Sequence, residues 1–146
     1  MGAFDIKSLL LARHAQHVVL VHFPIALLIV GVAFDLAGQW RNRPALAAAA
    51  YYNLLIATIS TPFVLASGLL AWRWQLEGAH LRGNLLLHLV VGWTSAVVIW
   101  LVWLIHHRAR RTGRRLPVGR LPLELLAVFS VSLTGHLGGF LTGVNS

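Results

Sequence analysis

The chain has 146 residues, 58% of them hydrophobic and 11% charged, with a formal net charge of +8. Soluble domains average about 25% charged residues, so this balance and a mean hydropathy of +0.73 exclude an ordinary soluble domain and indicate an integral membrane protein. The absence of cysteine excludes disulfides, iron–sulfur clusters and thiolate metal sites.

Residues 1–16 lack an apolar core followed by a small-residue cleavage site, so the first hydrophobic segment is expected to remain as a helix. That first span covers residues 17–38 and is uncharged until Asp35. Pro24 is expected early in it, where a missing N–H costs least. The second span covers residues 45–72, with Pro44 suited to its first turn. It exceeds the roughly 20 residues needed to cross a bilayer, which predicts tilt or a kink near Pro62. Ser60, Thr61 and Ser67 read as helix-packing or backbone-bonding groups, and Asn53, if buried, needs a partner. The third span covers residues 85–105, and the fourth covers residues 121–144 with a glycine-rich end. Short connections favour antiparallel neighbours, so the expected fold is all-α: one integral membrane, up-down four-helix bundle domain.

Basic residues set the expected orientation. Arg41, Arg43, Arg108, Arg110, Arg111, Arg114, Arg115 and Arg120 fall on one side, against Lys7, Arg13, Arg73 and Arg82 on the other. This excess puts the first and third loops in the cytoplasm and both termini in the periplasm of a bacterial inner membrane. The high net charge is read as this topology signal, with no nucleic-acid partner. Trp40, Trp72, Trp74 and Trp103 fall near the expected interfaces, where indole is favoured. Asp35 and Glu124 fall near the cytoplasmic edge and are expected to pair with loop arginines. His106 and His107, at that same edge, read as ordinary loop residues.

The remaining pattern is histidine in apolar helices, where an ionisable ring marks a functional site by default. His17 opens the first span and His22 lies roughly 7–8 Å deeper. His88 lies about three residues into the third span, and His136 lies about 12 Å from the end of the fourth. With alternating helix directions all four approach the outer face, with His80 in the loop nearby. His17 and His22 are separated by about 140° around the helix, so they need not serve one partner. Neutral imidazoles on separate helices suit haem b, whose iron takes axial histidines. One haem is expected, or two closely spaced. His22 with His88 is the first axial pair, because helices one and three are diagonal, and His17 with His136 is the second. Gly92, Gly135, Gly138 and Gly139 leave room for a flat macrocycle or a close helix approach. A histidine-only copper or zinc site at the same residues is the alternative cofactor. No paired carboxylates, Ser/His/Asp set or phosphate-binding loop stands out, so no catalytic residue is expected.

The segment 16–28, QHVVLVHFPIALL, resembles the opening signature of a bacterial membrane family, domain of unknown function 2231. His17 and residues 21–27 match it, while Val18 replaces the usual proline. Asp35, Ser67-Gly68 followed by Trp72, His88, and Gly135-His136-Leu137-Gly138-Gly139 are similar to further family positions. The resemblance covers nearly the whole chain. It implies a four-helix membrane protein with kinship to small b-type cytochromes, and carries ligand roles to His17, His22, His88 and His136.

The expected function is a membrane-bound b-type cytochrome or haem-bearing subunit that carries electrons near the periplasmic face. Its partners would be the lipid bilayer, quinol, a periplasmic cytochrome c or other membrane subunits. Two alternatives stand beside it: a non-catalytic structural or assembly subunit of a larger membrane complex, and a periplasm-facing, histidine-rich copper or zinc binding protein.

Overall fold

In lipid, a spanning segment must satisfy its own backbone polar groups, and uncharged runs of this length do so as helices. The computed structural model of the chain describes residues 13–141. It contains four helices: α1 (Arg13–Trp40), α2 (Pro44–Gln75), α3 (Gly83–Thr112) and α4 (Arg120–Leu141). All four are long and apolar enough to cross a membrane. Lys7, used for the orientation, and the expected end of the fourth span at residue 144 lie outside the described residues.

Sequential neighbours pack together and α4 closes back on α1, so α1 and α3 are diagonal. This is the expected up-down four-helix bundle. The core runs through Leu28 and Val32 of α1, Leu54 and Ala57 of α2, Val98, Ile99 and Val102 of α3, and Ala127 and Val131 of α4. Outside it, Phe23, Phe63, Val97, Leu125 and Phe129 are exposed. A helix bundle apolar on its outer faces as well as inside is suited to hydrocarbon.

Without a hydrophobic force between helices in lipid, association depends on close packing. The longest interface, α1 against α2, is built on small residues. A Cβ placed on Gly31 would lie 3.1 Å from Leu54 Cγ, and one on Gly38 would lie 3.1 Å from the Ala47 backbone nitrogen. The α2 segment opposite Gly38 is alanine-rich, which lets the two backbones approach.

The proline in the interior of α2 is accommodated locally. Pro62 lies within α2 and has no N–H to offer the carbonyl of Thr58. The Thr61 hydroxyl donates to that carbonyl instead, at 2.8 Å. Thr61 Oγ1 also accepts the Trp100 indole N–H from α3 at 2.9 Å. Ser60 donates to Ala57 O, Ser67 to Val64 O and Asn53 to Ala49 O, which are the backbone-bonding roles expected for these polar residues. Replacing Thr61 by valine removes both functions of the hydroxyl. The expected cost is about 1–2 kcal/mol, read as a lower unfolding midpoint in mixed micelles together with a shifted Trp100 emission.

Two local expectations are corrected. Pro24 lies in the interior of α1 and not at its first turn, because the helix already runs from Arg13. Helix α3 continues past residue 105 to Thr112. Hydropathy marks only the apolar part of a helix, and His, Arg and Ala continue it without a backbone penalty comparable to Gly or Pro. It stops at Gly113, whose φ of 63° is left-handed, with the Arg114 N–H closing onto Ala109 O. That conformation favours glycine at a helix terminus.

Candidate functional site

The antiparallel arrangement brings the start of α1, the end of α2, the start of α3 and the end of α4 to one end of the bundle. A cavity of about 190 Å³ lies there, partly open, between all four helices. Its lining is mostly aliphatic and aromatic, with Pro24, Trp72 and Trp93 among the contributors. Two imidazoles line it, His17 from α1 and His88 from α3. They come from the diagonal pair of helices.

Hydrogen bonding fixes the tautomer of each ring. The only hydrogen of Ser67 Oγ is donated to Val64 O at 2.8 Å. The 2.8 Å contact between His17 Nδ1 and Ser67 Oγ therefore has the imidazole N–H as donor. His88 Nδ1 lies 3.1 Å from the carbonyl of Thr134, which can only accept. Both rings carry their proton on Nδ1, so in the neutral state Nε2 is the lone-pair nitrogen of each. A histidine whose second nitrogen is held by a carbonyl or hydroxyl acceptor is fixed in ring orientation, as in metal and haem ligation.

Glycines set the ring positions. A Cβ on Gly68 would lie 3.0 Å from His17 Cε1, and one on Gly138 would lie 3.3 Å from His88 Cε1. The Ser67-Gly68 pair thus supplies both the acceptor and the space for His17. Thr134 is itself braced: its hydroxyl donates to Ser130 O at 2.8 Å, so Ser95 donates to it across the α3–α4 interface at 3.0 Å.

The other two expected ligands are placed differently. His22 is exposed on α1 and donates its Nδ1–H to Val18 O at 2.6 Å, within its own helix. His136 is exposed on α4 and packs edge-on against Phe140, with ring centroids 4.9 Å apart. Neither lines the cavity that His17 and His88 share. His80 is exposed in the connection between α2 and α3.

The opposite end of the bundle holds a buried ionic cluster. Arg120 donates from Nη2 at 2.7 Å and from Nε at 3.0 Å to Asp35 Oδ2. Its Nε also lies 3.3 Å from Glu124 Oε1, one helical turn along α4. Gln39 donates to Asp35 at 2.6 Å, and Arg120 Nη1 donates to Pro117 O at 3.0 Å. His106 Nε2 lies 2.9 Å from Glu124 Oε1. These groups are almost fully enclosed, with exposures of 1% for Asp35, 2% for Arg120, 4% for His106 and 0% for Glu124.

The cluster gives the acidic residues the arginine partner expected for them and corrects the reading of His106 as a loop residue. Because α3 continues beyond its apolar part, residue 106 falls on the buried face of a helix and meets Glu124. Arg120 likewise belongs to α4 rather than to a solvated loop. Its i,i+4 spacing to Glu124 was the available signal for the cluster.

No curated protein and no solved structure matches the chain. A family model does match, over all four helices, and its description extends only to a predicted membrane protein. The kinship to b-type cytochromes expected from the resemblance has no support in that match. By the match over residues 13–144, the chain belongs to the family of predicted membrane proteins designated domain of unknown function 2231.

Proposed function

We propose that this protein is a membrane redox subunit whose cavity between His17 and His88 holds its electron-carrying ligand, with haem b as the first reading. The observation that supports it is the pair of imidazoles on diagonal helices. Each is held through Nδ1, His17 against Ser67 and His88 against the Thr134 carbonyl, and both line one apolar cavity. Haem iron takes two such donors, one on each face of the macrocycle. The axial pair in this proposal is His17 with His88, in place of His22 with His88.

The donor set fits haem, and space is the tighter condition. The cavity of about 190 Å³ exceeds the roughly 150 Å³ apolar cavity that admits benzene. It is smaller than the roughly 300–1,000 Å³ of drug-sized ligand sites. A macrocycle must therefore extend through the open side. When bound, haem supplies one-electron chemistry at its iron. The residues of the chain hold the two imidazoles in a fixed tautomer, exclude water with Trp72, Trp93 and their aliphatic neighbours, and set the position of each ring against Gly68 and Gly138.

The cavity volume favours a second reading, a quinol headgroup. A single substituted ring matches the enclosed space, its hydroxyls would donate to Nε2 of His17 and His88, and its chain would leave through the opening into lipid. In either case the arginine excess at the other end of the bundle, which persists without the neutralised Arg120, supports an orientation in which the cavity faces the periplasm from a bacterial inner membrane. A periplasmic cytochrome c is then a fitting electron partner.

Oxidised and dithionite-reduced visible spectra of the detergent-purified protein, with a pyridine haemochrome assay, test the proposal. The expected result is a b-type spectrum with sharp reduced α and Soret bands. A colourless protein whose tryptophan emission is quenched saturably by a short-chain quinone supports the second reading. A colourless, quinone-insensitive protein with stoichiometric copper or zinc overturns both in favour of a metal-binding protein. Absence of any ligand leaves a scaffold subunit as the function.

A further inference from the structure

The second polar site, at the arginine-rich end, has a charge count that does not close. Asp35 and Arg120 neutralise each other through two hydrogen bonds to one carboxylate oxygen. Glu124 then remains with His106 at 2.9 Å and with the Arg120 Nε at 3.3 Å. With Glu124 ionised and His106 neutral, the enclosed group carries one uncompensated negative charge in surroundings that penalise it heavily.

A cation could close the count, and donor atoms of Asp35, His106 and Glu124 do lie within 4.8 Å of one another. The Arg120 guanidinium already stands against both carboxylates, however, in the position an ion would take. A proton meets no such obstacle. A second observation points the same way: Glu124 Oε2 is buried and accepts no hydrogen bond from any described residue. A carboxylate oxygen with no donor is costly in an apolar interior, and a neutral carboxylic acid is less so.

We propose that the His106–Glu124 pair is a proton-binding site, enclosed between α3 and α4, that takes up one exchangeable proton. The proton is acquired from water and resides either on His106, as imidazolium against carboxylate, or on Glu124, as carboxylic acid against imidazole. No bond between heavy atoms changes: the move between the two forms breaks the His106 N–H bond as the Glu124 O–H bond forms, along one 2.9 Å hydrogen bond. The two groups therefore share one proton across one hydrogen bond.

The groups around it are few. Asp35 faces it from α1, screened by Arg120 of α4. On α3 the next residue, His107, is engaged by Tyr51 of α2 at 3.0 Å and stacks on Trp103 with ring centroids 4.8 Å apart. Arg110 lies over the Tyr51 ring, 4.6 Å from its centroid. His107 and Tyr51 are only half-buried and lie at the arginine-rich end of the bundle, beside the pair. The proposal does not depend on what occupies the His17–His88 cavity.

Infrared difference spectroscopy of the intact protein during a pH titration tests it, with nitrogen-15 spectra of the histidines recorded on the same preparation. Uptake of the proton is expected as one deuterium-sensitive carboxylic acid band where it resides on Glu124, or as one buried imidazolium signal with a shifted carboxylate band where it resides on His106. The band is lost in Glu124→Gln. In His106→Gln, which keeps a donor to Glu124, the imidazole signal is lost and the midpoint of the band moves. If Glu124→Gln does not fold, the wild type and His106→Gln still decide. A pair whose carboxyl and imidazole signals stay constant across the pH range in which the protein is folded overturns the proposal. So does stoichiometric zinc uptake that is abolished by Glu124→Gln, which would make the cluster a metal site.

Discussion

Replacing Arg120 with methionine is expected to destabilise the bundle by about 3–5 kcal/mol, the usual cost of stranding a buried charge by removing its partner. The guanidinium is 2% exposed and joins α4 to α1 through Asp35, while its Nε also faces Glu124. Its loss leaves two enclosed carboxylates without their cation. The double variant Asp35→Leu/Arg120→Met is expected to recover much of the loss, because hydrophobic replacement of a whole buried pair is often neutral or better. Reversible unfolding in mixed micelles measures both. An Arg120→Met protein that unfolds at the wild-type midpoint would show that the cluster contributes little to the fold.

The second large effect is expected at the α1–α2 interface. Leu54 is 0% exposed and faces the glycine gap at Gly31. Leu54→Ala opens a cavity where packing is the main source of helix association in lipid, and is expected to cost about 2–5 kcal/mol. A methyl at Gly31 would stand 3.1 Å from Leu54 Cγ, so Gly31→Ala is destabilising in the wild type through crowding. In the Leu54→Ala background the same methyl enters vacated space. The double variant is therefore expected to be more stable than the sum of the two single changes predicts, and a double-mutant cycle reads that coupling. Simple additivity would mean that Gly31 and Leu54 do not share the contact.

The bundle was legible because composition and helix length are strong signals. Long uncharged runs separated by short polar segments have few structural solutions in a membrane. The ends of helices were less legible, since hydropathy falls where a helix leaves hydrocarbon and not where its hydrogen bonding stops. Helix α3 shows the consequence: His106 lies just past the apolar run, yet it is on the buried face of an unbroken helix.

The candidate site was legible in part for a related reason. Sequence spacing places His22, His88 and His136 at comparable depths with His17 nearer the edge, and the antiparallel topology does bring all four to one end. Depth alone does not say which way a ring faces. That depends on neighbours distant in sequence: Ser67 and Gly68 orient His17, and Thr134 and Gly138 position His88. His22, bonded to its own helix, has no such partner on another helix among the described residues. The rotation of about 140° between residues 17 and 22 already separated these two, and the structure decides that His17 is the one facing the cavity.

In the proposed function His17 and His88, and not His22 and His136, form the ligand site. Single alanine variants of the four histidines, purified in parallel and compared for bound haem by reduced-minus-oxidised spectra and pyridine haemochrome content, test it most directly. The predicted result is loss of haem in His17→Ala and in His88→Ala, with wild-type content retained in His22→Ala and His136→Ala. Loss in His22→Ala or His136→Ala with retention in His17→Ala would contradict it.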